Sequence, residues 1–254
     1  MMKLKGKVVL VTGAASGLGR ATTLACARHG ADLFMVDRDR EGLEKTLGQV
    51  REIGATAENF VRDLVERQAC VDAVAMAVER FGRLDALCNI AGIMQFHETT
   101  KVTPEDWDRM IATNLSAPFY LSQAAIPALL ESHGSIVNVA SGAGIWGTAY
   151  AVPYSVTKAG LIQMTKSMAM EFIKHPIRIN ALAPGSMDTE MNVNLLAQGG
   201  IPDGLDRSLI ERYSGFRPFA DPAGMANMIV HMLSDETPAL HGSILSVDSG
   251  MTAG

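Results

Sequence analysis

Short apolar runs alternate along this chain with segments of helical periodicity, and the runs lead into glycine, proline or small polar residues. Val8 to Val11, β-branched at three of four positions, ends at Thr12-Gly13. Ala31 to Val36 ends at Asp37, Thr56 to Val61 leads to Asp63, and Leu84 to Cys88 ends at Asn89. Ser135 to Val139 leads to Ser141, Arg178 to Leu182 to Pro184-Gly185, and Ile244 to Val247 is the last run. Runs this short and this apolar suit strands buried on both faces of a parallel sheet. Between them, a helical segment runs to His29 and stops at Gly30, and a polar one precedes Gly54. From Cys70, apolar residues at Ala73, Val74, Ala77, Val78 and Phe81 predict a helix closed by Gly82. Thr103-Pro104-Glu105-Asp106 reads as a helix start, with a capping hydroxyl, proline in the first turn and a carboxylate three residues after the cap. A helix containing Tyr154 and Lys158 is predicted to run to about Lys174, and a shorter one over Asp221 to Leu233. Strand–helix alternation of this kind predicts an α/β fold, a doubly wound parallel sheet with helices on both faces. With 254 residues, 48% of them hydrophobic, one core can form, and residues 1–254 are expected to be a single domain.

In such a sheet ligands bind beyond the carboxyl ends of the strands. Gly13, Asp37, Asp63, Asn89, Ser141 and Pro184 all fall there, which groups the chemically distinctive residues at one edge. Gly13, Gly17 and Gly19, with Ser16 and Leu18 between them, open the first helix. A strand-to-helix turn without bulky side chains lets backbone N–H groups approach a pyrophosphate where the helix dipole favours negative charge. The spacing Gly-x-x-x-Gly-x-Gly differs from the Gly-x-Gly-x-x-Gly dinucleotide fingerprint, but the strand–turn–helix context is the one a cofactor needs. Asp37, about twenty residues on, is placed to accept hydrogen bonds from adenosine ribose hydroxyls and to repel a 2′-phosphate. This favours NAD over NADP, with Arg38 as the opposing feature, since a guanidinium binds phosphate.

Tyr154 and Lys158 stand four residues apart, one above the other on a helix. A phenol titrates near 10 and an ammonium near 10.4, and a fixed cation favours the phenolate. Moving the phenol by about three units would take roughly 4 kcal/mol and make Tyr154 a general acid or base near neutral pH. Ser141 could present its hydroxyl to the same substrate oxygen.

Other classes are disfavoured. A net charge of −5 gives no basic footprint for nucleic acid. Charges such as Lys166 and Arg178 interrupt every candidate membrane-spanning run. Cys26, Cys70 and Cys88 are widely spaced and read as buried thiols of a reducing compartment. MMKLKGK leads directly into the first strand, so no signal peptide is expected and a cytoplasmic location is. The six histidines lack metal-ligand spacing, and no metal is expected.

Taken together, the motifs resemble those of the short-chain dehydrogenase/reductase family, over essentially the whole chain. Thr12-Gly13-x-x-x-Gly17-x-Gly19 is similar to its cofactor motif, and Asp63 to the aspartate that contacts adenine. Asn89-Ile90-Ala91-Gly92 resembles its Asn-Asn-Ala-Gly motif, with Ile90 replacing the second asparagine. The resemblance implies a Rossmann-type fold and a catalytic tetrad of Asn114, Ser141, Tyr154 and Lys158. In it, Tyr154 exchanges the proton, Ser141 orients the alcohol or carbonyl, and Lys158 lowers the tyrosine pKa and binds the nicotinamide ribose. Asn114 interrupts a helix and holds a water. Leu64, Met187, Pro184-Gly185 and Thr189 join the implied cofactor contacts, the last three beside the carboxamide. The implied activity is hydride transfer between NAD(H) and a secondary alcohol or ketone, in a homotetramer built on the 106–130 and 153–174 helices and the last strand.

Met94, Phe96, Trp146, Met187 and Met191 are the expected apolar lining for a bulky or cyclic substrate, with Trp107 placed in the core. Residues 186–219, rich in methionine, leucine and turn residues, read as a covering lid over cofactor and substrate. Two alternatives remain: an NADPH-dependent 3-oxoacyl-thioester reductase, which shares these motifs, and a non-catalytic NAD-binding regulatory protein on the same fold.

Overall fold

The computed structural model describes residues 2–189, 204–214 and 217–253, with 211–214 described by backbone alone. Seven strands form one parallel sheet in the order β3-β2-β1-β4-β5-β6-β7. They are β1 (Val8–Thr12), β2 (Asp32–Asp37), β3 (Ala57–Val61), β4 (Ala86–Asn89), β5 (Ser135–Val139), β6 (Arg178–Pro184) and β7 (Ile244–Val247). The order reverses between β1, where Leu10 pairs with Phe34 of β2, and β4, where Cys88 pairs with Val11 of β1. That reversal opens a crevice at the carboxyl ends of these two strands.

Strand residues divide by parity, as a pleat demands. Val9, Val11, Leu33 and Met35 pack on one face against α1 (Gly17–Arg28), α2 (Arg40–Ile53) and a C-terminal helix over Pro222–Leu233. Val8, Leu10, Phe34 and Val36 pack on the other against α3 (Arg67–Phe81), α5 (Ala117–Glu131) and α6 (Val152–Glu171). Between α3 and α5 lies α4 (Pro104–Ile111); α7 (Arg207–Ser214) and α8 (Pro222–Leu233) follow β6.

The caps form where the residues predict them. Gly54 and Gly82 close α2 and α3 with left-handed backbones, which glycine adopts without a Cβ penalty. Thr103 accepts from the Asp106 N–H, and its hydroxyl donates to the Asp106 carboxylate. Two boundaries differ from the expectation: α3 begins at Arg67, a turn before Cys70, and α6 ends at Glu171, short of Lys174. Trp107 is not in the core. It is 39% exposed, because α4 is short, buries only Met110, and leaves the indole in a groove beside Val152 and Pro153. All three cysteines are buried, and burial pushes the Cys26 thiol up to about 12 and Cys70 to about 11, so neither is a ready thiolate. Among the described residues no helix is long and apolar enough to cross a membrane, and no cluster of histidine, cysteine and carboxylate could hold a metal.

Candidate active site

A cleft of about 420 Å³ runs along the carboxyl edge of the sheet, from the glycine turn after β1 to the start of α6. Its floor is shaped by close backbone approaches. Gly13 has φ +70°, and a Cβ there would lie 3.0 Å from Cα of Ala91. A Cβ on Gly19 would lie 1.9 Å from the Gly13 carbonyl oxygen, closer than any side chain tolerates. The turn is backed from α1 and α2: Thr46 donates to the Ala14 carbonyl at 2.9 Å, and Arg20 donates to Thr46 and to the Ala15 carbonyl. A concave turn of backbone amides at a helix start, with no room for side chains, has the chemistry of a diphosphate cradle. Across the crevice, the Thr12 hydroxyl accepts the N–H groups of Ile90 and Ala91 at 3.0 and 3.1 Å, tying the two loops of the reversal point together. Sequence reasoning gave Thr12 no such role, although its place directly before the glycine turn was the available signal.

Asp37 ends β2 at the rim of the cleft. Its carboxylate accepts the N–H of Ala15 and of Asp39, each at 3.0 Å, so its orientation is fixed before any ligand arrives. Arg38 faces Asp63 at 3.8 Å with both side chains half exposed. Both Arg38 and Asp63 line the cleft, as do Ser16, Gly17, Leu18 and Leu64. At the far end, Pro184, Gly185, Met187 and Thr189 line it after β6. The residues therefore fit a dinucleotide: a glycine cradle with a fixed carboxylate beside it at one end and the residues after β6 at the other.

Tyr154, Lys158 and Ser141 meet at the inner end, beside Ala91, Gly92 and Met94. Lys158 is 4% exposed and Tyr154 7%. The lysine Nζ lies 5.6 Å from the tyrosine ring centroid and donates to the Val139 carbonyl at 2.8 Å. Burial lowers the Lys158 pKa from 10.5 to about 8. Ser141 ends the loop after β5; its Oγ accepts the Ala143 N–H at 3.1 Å and begins a short 3₁₀ turn, Gly142–Gly144. That turn sits on α6, since a Cβ on Gly144 would lie 2.6 Å from the Lys158 carbonyl carbon.

Asn114 lies in a π-helical turn, Ala112–Ser116, that links α4 to α5. Such turns concentrate at functional sites. Its side chain is buried and clamps Ile93 twice, accepting the Ile93 N–H and donating to the Ile93 carbonyl, both at 2.9 Å. A Cβ on Gly92 would lie 3.2 Å from Oδ1 of Asn114 and 3.5 Å from Nζ of Lys158, so a side chain here would press on the Asn114 amide.

Four expected positions lie off the cleft, the first of them Asn114, which is fully buried behind Ile93. Asn89 points into the sheet core, not the cleft, and donates to Asn138 at 2.8 Å and Ser122 at 3.2 Å. This follows from strand parity: Asn89 is the last residue of β4, and the turn to the cleft begins after it. Phe96 packs behind Met94 in a buried apolar cluster with Tyr154 and Ile210 and does not line the cleft. Trp146 does not line it either; its half-buried indole follows the 3₁₀ turn after Ser141, with its backbone N–H bonded to Gly142. Met191, with the rest of 190–203 and 215–216 of the expected lid, lies outside the described residues.

Comparison with known proteins accords with this geometry. Residues 7–199 match the family model described as short chain dehydrogenase. The chain is 35% identical over 251 residues to a 3-oxoacyl-(acyl-carrier-protein) reductase of Thermotoga maritima, covering 98% of this chain and 99% of the relative. It is equally 35% identical, over 253 residues, to a 2,5-dichloro-2,5-cyclohexadiene-1,4-diol dehydrogenase of Sphingobium indicum, covering 99% and 98%. The crystal structure of a short chain dehydrogenase from Mycobacterium paratuberculosis bound to NAD superposes with a TM-score of 0.91 at 26% identity, covering 99% of this chain and 100% of that one. Sheet order, cleft and sequence relationship together make this chain a member of the short-chain dehydrogenase family.

Proposed function

We propose that this chain, working as one domain, is an NAD-dependent dehydrogenase of apolar or cyclic secondary alcohols, with Tyr154 as its general acid and base. The observation that carries the reading is the burial of Tyr154 and Lys158 together at the inner end of a dinucleotide-shaped cleft. When bound, the nicotinamide supplies the hydride acceptor or donor. The glycine turn and Asp37 would hold its adenosine diphosphate half, and Lys158 with residues 184–189 its nicotinamide half. Tyr154 takes the hydroxyl proton of the alcohol, and Ser141 holds the same oxygen by a hydrogen bond. The Lys158 ammonium favours the phenolate by its field. Asn114 fixes Ile93, and the π-helical turn frees backbone carbonyls that could hold the expected water. Met94 and the apolar cluster beside Tyr154 supply hydrophobic surface next to the proton-transfer group, which suits a neutral ring.

Asp37 supports NAD over NADP, because its fixed carboxylate stands where a 2′-phosphate would bring two more negative charges. Arg38, already facing Asp63, is not free of a competing partner. The reductase alternative has the 35% identity to the Thermotoga enzyme behind it, matched by the same identity to the cyclic diol dehydrogenase. A homotetramer is consistent with the exposed apolar residues Phe119 on α5, Val156 and Met170 on α6 and Ile173 just after it, and cytoplasmic work with three reduced thiols. Incubating the protein with cyclohexanol and either cofactor distinguishes the readings. NADH formed from NAD⁺, at least about tenfold faster than NADPH from NADP⁺, is the expected result. Reduction of a 3-oxoacyl thioester with NADPH, and no alcohol oxidation, would replace it with the reductase.

A further inference from the structure

Tyr150 stands four residues before Tyr154, outside every motif described above. Its backbone has φ +62°, uncommon for a residue with a Cβ and sustained only where the surroundings over-determine it. Three contacts do so. The Tyr150 carbonyl accepts the His97 N–H at 2.8 Å, joining the β4–α4 loop. Its ring packs against the buried cluster of Met94, Phe96, Tyr154 and Ile210. Its hydroxyl oxygen accepts the Asp206 N–H at 3.2 Å. Asp206 in turn starts α7: its carboxylate accepts the Ser208 N–H at 2.9 Å and the Ser208 hydroxyl at 2.6 Å. One turn further on, Ile210 is buried in the cluster beside Tyr154, and Leu205 packs against it.

A single side chain therefore ties the segment after β6 to the start of the helix that carries Tyr154 and Lys158. We propose that Tyr150 is a positioning residue for substrate specificity: its hydroxyl holds 205–210 in place on the buried apolar cluster that backs Met94 and Tyr154 at the cleft. The inference rests on the dehydrogenase reading for its kinetic consequence and on geometry alone for the latch. A bulky ring that fills the cleft up to Met94 and Tyr154 would press on the cluster behind them and a small alcohol would not, so loss of the latch weakens binding of the first and spares the second. The proton step, the glycine turn and Asp37 involve none of these atoms.

Tyr150→Phe keeps the ring and the backbone and removes only the hydroxyl. Amide hydrogen exchange reads the latch directly: the Asp206 N–H is expected to exchange about tenfold faster in the variant, with β5 amides unchanged. Steady-state kinetics read its consequence. KM for a bicyclic secondary alcohol is expected to rise about fivefold or more, with kcat within about twofold, while KM for isopropanol and the affinity for NAD⁺ stay unchanged. Unchanged exchange at Asp206 would overturn the latch. Equal changes in KM for large and small alcohols, or no change for either, would overturn the specificity role. If the wild-type protein oxidised no alcohol, the dehydrogenase reading would fail while hydrogen exchange still decided the latch.

Discussion

Replacing Tyr154 by phenylalanine is expected to lower kcat for alcohol oxidation by about 10²–10⁴-fold, the contribution a positioned general acid or base makes. The substitution removes one oxygen. The ring stays in its apolar cluster with Met94, Met110 and Ala143, so the fold loses little packing. Lys158 keeps its bond to the Val139 carbonyl and a ring face at 5.6 Å. The glycine turn and Asp37 lie at the other end of the cleft, so affinity for NAD⁺ should hold within about twofold. Stopped kinetics with retained binding would assign the proton to Tyr154. Turnover near the wild-type rate in the variant would remove Tyr154 from the chemistry.

Lys158→Met should have opposite effects on activity and stability. The lysine is held in a buried site that depresses its pKa from 10.5 to about 8. At about 1.4 kcal/mol per pKa unit, the buried charge costs the folded state roughly 3 kcal/mol. Methionine removes that penalty but leaves the Val139 carbonyl without its 2.8 Å partner, a loss of about 1–3 kcal/mol. The net expectation is a gain near 1 kcal/mol, or about 2–4 °C in Tm for a chain of this size, together with turnover reduced by about 10²-fold or more. The pH dependence fixes the sign. Between about pH 8 and 10.5 the unfolded chain binds the proton that the folded one has released, so wild-type stability from this group rises with pH across that window. The penalty is present in full below pH 8. The advantage of Lys158→Met in a thermal melt should therefore be largest at pH 7 and shrink by pH 10. A variant less stable than wild type at pH 7 by more than about 2 kcal/mol would show that the lysine's hydrogen bond outweighs its desolvation.

What could be read from the residues follows from what each signal reports. The strands were legible because a strand buried on both faces must be continuously apolar, and its end is where a polar or glycine residue becomes tolerable. Val8–Thr12 shows both features, while Ser135–Val139 carries a buried Asn138 whose amide is paired with Asn89 and Thr165. The glycine turn was legible because Gly13 and Gly19 answer a steric demand that no other residue meets. Burial was not legible. The four-residue spacing of Tyr154 and Lys158 describes an exposed pair equally well; the packing of α6 on the 3₁₀ turn after Ser141 and the cluster of Met94, Met110 and Ile210 enclose them. Trp107 shows the converse: an apolar residue in a well-capped helix carries no statement of which face that helix turns inward. Asn89 belonged to a motif but points the other way, since one residue along a strand changes the face. Tyr150 carried no signal, because its role depends on a contact with Asp206, 56 positions away in the chain.

The central claim is that the cleft is an NAD site set by Asp37 and the glycine turn, and a thermal titration with NAD⁺ and NADP⁺ side by side tests it most directly. At a concentration one hundred times its dissociation constant, a ligand of the folded state stabilises by about 2.7 kcal/mol. For a chain of this size that corresponds to a rise in Tm of roughly 5–10 °C. That rise is expected with NAD⁺, and a much smaller one with NADP⁺ at the same concentration. A larger rise with NADP⁺, or none with either cofactor, would contradict it.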